Sequence, residues 1–163
     1  MRKISDPENG MQYNEALRMA AALCSKAEYC AADISEKLQR RGVSAEDMEK
    51  VIAYLCDNRY INHERFARSF VSDKFRFNKW GRVKIRYALK MKKIEPAYIE
   101  DALSAVDEGD YITALNAAFE EKLKKRGDIS DSKTRASVYN FCVMRGFEPE
   151  IVLKVMHSYE KRG

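Results

Sequence analysis

The stretch Lys74-Phe75-Arg76-Phe77-Asn78-Lys79-Trp80-Gly81-Arg82 alternates cations with aromatic rings, a combination suited to phosphates and unstacked bases. Just beyond it, Arg82, Arg86, Lys90 and Lys93 fall within about 80° of one another on a helix turning 100° per residue. The stripe they form runs about 16 Å, enough to follow several phosphates or the acidic wall of a protein groove. Like charges on one face repel, and residues 62–94 set only Glu64 and Asp73 against eleven Lys and Arg. A merely solvated helix intersperses both signs, so the pattern reads as a surface for a polyanion or an acidic partner. The candidate binding residues are Lys74, Arg76, Lys79, Trp80, Arg82, Arg86, Lys90 and Lys93. Ile85, Ala88 and Leu89 form an apolar stripe along one flank of the cations, which are therefore expected to be dispensable for the fold. Trp80 has two readings, base stacking or packing between helices, and packing is the commoner fate of such a ring. Phe66, Phe70 and Phe77 read as core.

A second basic cluster, Lys122, Lys124, Lys125 and Arg126, ends a helical stretch, where the helix dipole favours cations for structural reasons alone. Signatures of catalysis are missing: the sequence holds no P-loop, GxGxxG, HExxH, GxSxG or DxDxDG pattern. His63-Glu64 opens like a metal motif, but no second His follows at the required spacing. Cys24, Cys30, Cys56 and Cys142 show no CxxC spacing and read as reduced thiols on helix faces. No catalytic residue, metal site or cofactor is expected. No apolar run of about 18 residues is present and the start lacks a secretory pattern, so a cytoplasmic location is expected, with no membrane contact.

The elements that must position these residues come from a pattern that occurs three times. Ile34, Leu38, Gly42, Val43 and Met48 map onto Ile85, Leu89, Lys93, Ile94 and Ile99 by adding 51. A further 53 leads to Val138, Cys142, Gly146, Phe147 and Val152. A fixed period of this size signals tandem units, each too small to bury its own apolar face. The net charge of +5 is unevenly spread over them: −1 in residues 1–61, +9 in 62–94 and −3 in 95–163.

Apolar spacing places helices at about 13–24, 31–40, 45–58, 62–77, 81–92, 95–106, 110–125, 132–145 and 148–160. Gly42 fits a C-terminal cap, Ser44 with Asp47 a variant capping box, and Pro96 and Pro149 first helical positions. No segment alternates with a period of two. The expected fold is all-α: three tandem three-helix, helix-turn-helix-like repeats in an elongated, curved array. The expected boundaries are a loose polar tail at 1–12, repeat 1 at 13–61, basic repeat 2 at 62–106 and repeat 3 at 107–163. The links between units are short, so the units should abut. The body is expected to be a monomer.

The block Tyr60-Ile61-Asn62-His63-Glu64-Arg65-Phe66-Ala67-Arg68-Ser69-Phe70-Val71 resembles the RecX family, bacterial regulators of the recombinase RecA. Lys79-Trp80-Gly81, followed by the basic helix from Arg82 to Lys93, matches the family's aromatic-Gly stretch and basic helix. Ala16-Leu17 and residues 34–43 resemble its opening unit. His63 stands where an acid is common. The resemblance covers about residues 13–160 and is strongest in the middle unit. It implies a protein that binds RecA and lies along the groove of the RecA filament on single-stranded DNA. Such a protein restrains ATP hydrolysis, strand exchange and coprotease function, and so bears on DNA repair, homologous recombination and the SOS response. A plain DNA-binding module of helix-turn-helix-like units, contacting naked DNA, is the alternative.

Overall fold

Side-chain acceptors decide where four of the helices begin. Ser44, Asn62, Asp107 and Asp131 each accept a hydrogen bond from the backbone N–H three residues on, satisfying a donor that the first turn otherwise leaves orphaned. Pro96 and Pro149 open two more, where a missing N–H costs nothing. The computed structural model describes residues 10–162. Among these it holds nine helices and no strand: α1 (Tyr13–Lys26), α2 (Ala31–Arg40), α3 (Ala45–Asp57), α4 (His63–Arg76), α5 (Arg82–Met91), α6 (Pro96–Ser104), α7 (Glu108–Arg126), α8 (Ser132–Met144) and α9 (Pro149–Arg162). Residues 1–9 of the expected tail lie outside the described residues. Its end is not loose: the Met11 N–H donates to the Arg41 carbonyl at 3.1 Å, and Gly10 lies against the backbone of Gly42.

The strongest helix pairings all fall within consecutive groups of three. Three clusters of buried side chains correspond to them. Ile34, Leu38, Val51 and Leu55 centre the first, Phe66, Ile85, Leu89 and Ile99 the second, and Tyr111, Leu115, Phe119 and Val138 the third. Cys30 belongs to the second cluster although it precedes α2, and Phe75 and Val106 touch both the second and the third. Each group thus lends side chains to its neighbour, as expected for units that cannot bury their apolar faces alone.

The joints between groups repeat as faithfully as the helices. At the first, His63 Nε2 accepts from the Ala31 N–H at the start of α2 (3.1 Å), while His63 Nδ1 sits 2.8 Å from Glu95 Oε1. Accepting at Nε2 requires the Nδ1–H tautomer, which donates to Glu95. At the second, the Tyr111 hydroxyl accepts from the Arg82 N–H at the start of α5 (2.9 Å) and donates to Glu148 Oε1 (2.6 Å). Ala31 and Arg82 are 51 residues apart, and Glu95 and Glu148 are 53 apart, so the repeat period extends to the joint. In both, one ring from the first helix of a unit caps the second helix of the unit before it.

The turn before the third helix also docks on the preceding unit. Lys92 Nζ reaches Asp33 Oδ1 at 2.7 Å, and the N–H groups of Gly81 and Val83 donate to the carbonyls of Arg145 and Gly146 at 2.8 and 2.9 Å. The backbones come so close that a Cβ on Gly81 would lie 2.4 Å from the Gly146 carbonyl carbon.

Candidate binding surface

The joint accounts for one of the expected binding residues. Arg82 opens α5, and its side chain is only 18% exposed. Its guanidinium lies 3.8 Å from the centre of the Tyr111 ring and bonds Glu108 through two nitrogens at 3.2 and 3.3 Å. Its Nε sits 2.9 Å from Glu148 Oε2, an ionic contact not aligned as a hydrogen bond. Burial opposes the charge, but the bonds to Glu108 and Tyr111 and the field of Glu148 hold it more firmly than in a free arginine. Arg82 is thus a tie between the second and third groups, and the expectation that it is dispensable for the fold is corrected. The sequence pattern hid this because its partners lie 26 to 66 residues away.

Arg86 is half engaged. Its Nε and one terminal nitrogen bond both oxygens of Glu100 at 2.7 and 3.0 Å, which holds the Glu100 carboxyl below its usual range. The other cations are freer. Arg76, Lys79, Lys90 and Lys93 are exposed, and no carboxylate pairs with them among the described residues. Lys84, which the sequence reading passed over, joins them.

Two of these cations stand in unusual backbone. Lys79 and Lys93 have φ of 60° and 62°, in the left-handed region. At the positions equivalent to Lys93 the other repeats carry Gly42 and Gly146, with φ of 77° and 102°. A side chain there costs about 1–2 kcal/mol that glycine avoids, so the middle repeat accepts strain where it keeps a cation.

Trp80 packs rather than presenting a bare ring. It lies against the second core cluster, edge-on to Phe70 with centroids 6.5 Å apart. Lys74 Nζ and Lys84 Nζ sit 4.9 and 4.6 Å from its ring centre, so cations already occupy the positions a base would take. Phe77 departs from expectation: it is 76% exposed, because α4 stops at Arg76 and the chain turns away before the core. In the second basic cluster, Lys122 lies over the Phe141 ring and Arg126 bonds Ser137, so part of it serves packing within the third group.

The described residues hold no cluster of His, Cys, Asp or Glu able to bind a metal ion. Burial raises the Cys30 and Cys142 thiols to about 11, which leaves them as packed, unreactive groups. No described helix is long and apolar enough to cross a membrane.

Residues 62–103 match the model of the second three-helix domain of RecX. The regulatory protein RecX of Acinetobacter baylyi is 31% identical over 145 residues, covering 88% of this chain and 87% of that protein. That of Legionella pneumophila is 28% identical over 142 residues, covering 86% and 92%. The crystal structure of RecX from Lactobacillus salivarius superposes with a TM-score of 0.76 over 91% of this chain and 96% of that one, at 17% identity. A second crystal structure, of regulatory protein RecX, reaches 0.73 over 85% and 70%, at 18% identity.

Proposed function

The chain belongs to the RecX family, and from that membership we propose that it binds the recombinase RecA and the RecA filament on single-stranded DNA. It restrains recombinase, ATPase and coprotease activity by occupancy of the filament groove, without chemistry of its own, as a cytoplasmic monomer. The observation that carries the reading is the concentration of positive charge in residues 62–94, +9 against −1 and −3 on either side, with Arg76, Lys79, Lys84, Lys90 and Lys93 exposed and without an ion pair among the described residues. Lys74 over Trp80 borders the same surface, and Arg86 contributes what Glu100 leaves unneutralised. Such a field draws the body toward a nucleoprotein polyanion, and the acidic outer thirds of the chain discourage indiscriminate attachment to bulk DNA.

The joints support an occupancy mechanism. Two backbone hydrogen bonds, the Tyr111 bridge and the Arg82 tie fix the third group on the second, and the His63 bridge with Lys92–Asp33 fixes the second on the first. Groups held in this way can bridge neighbouring protomers or block the next from adding. Cosedimentation with RecA-coated single-stranded DNA, together with RecA ATP hydrolysis, tests the proposal. Dose-dependent binding with falling hydrolysis is expected; no binding to coated strands would overturn it.

A further inference from the structure

The outward face of α5 carries a feature that phosphate binding does not call for. Val83, Tyr87 and Met91, spaced four apart, are 44%, 65% and 65% exposed. They lie opposite the buried Ile85 and Leu89 and form an apolar row about 12 Å long. The row is not demanded by the repeat. Its equivalents are Ala32, Glu36 and Arg40 in the first unit and Ala136, Asn140 and Met144 in the third. Glu36 and Arg40 interrupt the row in the first unit and Asn140 in the third, so the three-helix unit folds without the continuous row that the middle one carries.

Cations border the row on both sides. On helical angles Lys90 and Arg86 lie along one edge and Lys84 along the other. Glu100, whose carboxyl feels Lys90, is already held by Arg86, and Lys84 and Lys90 have no ion pair among the described residues. A nucleic-acid backbone would meet the cations but leave the aliphatic row facing charge and water. Val83 and Met91 offer no flat face for a base. An apolar row between cations fits a protein groove or helix with apolar side chains at its centre and carboxylates at its rim.

We propose that the Val83–Tyr87–Met91 face of α5, with Lys84 and Lys90 beside it, docks on protein rather than DNA, against an apolar, acid-rimmed surface of the recombinase. This rests on the RecA reading above and assigns to α5 the protein side of that complex. In that complex Arg76, the last residue of α4, and Lys79 just beyond it remain for phosphates.

The test pairs Tyr87→Ala/Met91→Ala with the parent chain on two targets, RecA-coated and naked single strands at one salt concentration. Both substituted positions are exposed, so the melting curve by circular dichroism is expected to stay with the parent. The double variant should bind coated strands at least about tenfold more weakly, as for loss of interface anchors, and naked strands as the parent does. Parent-like binding to coated strands, or an equal loss on both targets, overturns the proposal. If the parent itself ignores coated strands, the recombinase reading fails first and takes this partner with it. A second measurement does not depend on the variant's fold: p-benzoylphenylalanine at position 87 should photocross-link to recombinase polypeptide, and capture of the DNA strand instead overturns the assignment.

Discussion

Replacing Arg82 by Ala should loosen the joint between the second and third groups, and its cost can be worked from the contacts. The stack over Tyr111 at 3.8 Å is worth about 1–2 kcal/mol at a partly desolvated site. The Glu108 bonds count for little, because Glu108 is 66% exposed. Glu148 matters more: it is 19% exposed and would be left beside Tyr111 without its counter-charge. Removing one partner of a fully buried pair costs about 3–5 kcal/mol, and the residual exposure here discounts that. The expected loss is about 2–4 kcal/mol, or a melting point lower by about 5–12 °C in a chain of this size. Arg82→Lys should fall between, since it keeps the charge but not the planar fork. Lys90→Ala, at an exposed site without an ion pair, should stay within about 0.5 kcal/mol. Thermal and urea denaturation followed by circular dichroism measure all three. If Arg82→Ala melts with the parent, the tie does not hold the joint and the corrected assignment fails.

Three further outcomes follow from the same geometry. Gly81→Ala should destabilise by more than about 1 kcal/mol, although Ala usually gains over Gly, because its Cβ would meet Gly146 backbone; a rise in melting point would contradict the close approach. Lys93→Gly should raise stability by about 1 kcal/mol by relieving its left-handed backbone, while weakening filament binding; stability and affinity are read by melting and by titration, and unchanged affinity would remove Lys93 from the surface. The Asp33 carboxyl is disfavoured by burial but held below its ordinary 3.8 by Lys92, so its contribution is present above that value and lost as pH falls through the folded one. Asp33→Asn should therefore cost about 1 kcal/mol in urea unfolding at pH 6 and progressively less below pH 3.8, and a gap that widens in acid would refute the pairing.

The repeat made most of the fold legible. Ile34/Leu38, Ile85/Leu89 and Val138/Cys142 mark the buried faces of α2, α5 and α8, and all six are at most 1% exposed. Ser44, Pro96 and Pro149 mark helix starts by local rules that need no tertiary knowledge. The surface was legible only in part, because charge pattern counts cations without showing which are spent. Arg82 and Lys90 look alike on a helical wheel, yet the acids that claim Arg82 come from α7 and the start of α9. His63 and Tyr111 were missed as joint residues, although the offsets of 51 and 53 linking their partners were already visible. The row Val83–Tyr87–Met91 had a four-residue spacing to betray it, opposite the Ile85/Leu89 stripe.

The central claim is most directly tested by titrating the protein onto RecA-coated and naked single strands of one sequence over a range of salt. Binding to coated strands should be tighter by at least about tenfold, or 1.4 kcal/mol, at matched salt. On naked strands three to six phosphate contacts from the middle repeat predict a log–log slope of about −2 to −4, and on filaments a shallower one as protein contact carries part of the energy. Equal affinities with equal slopes on the two targets would contradict the account and leave a plain DNA-binding module in its place.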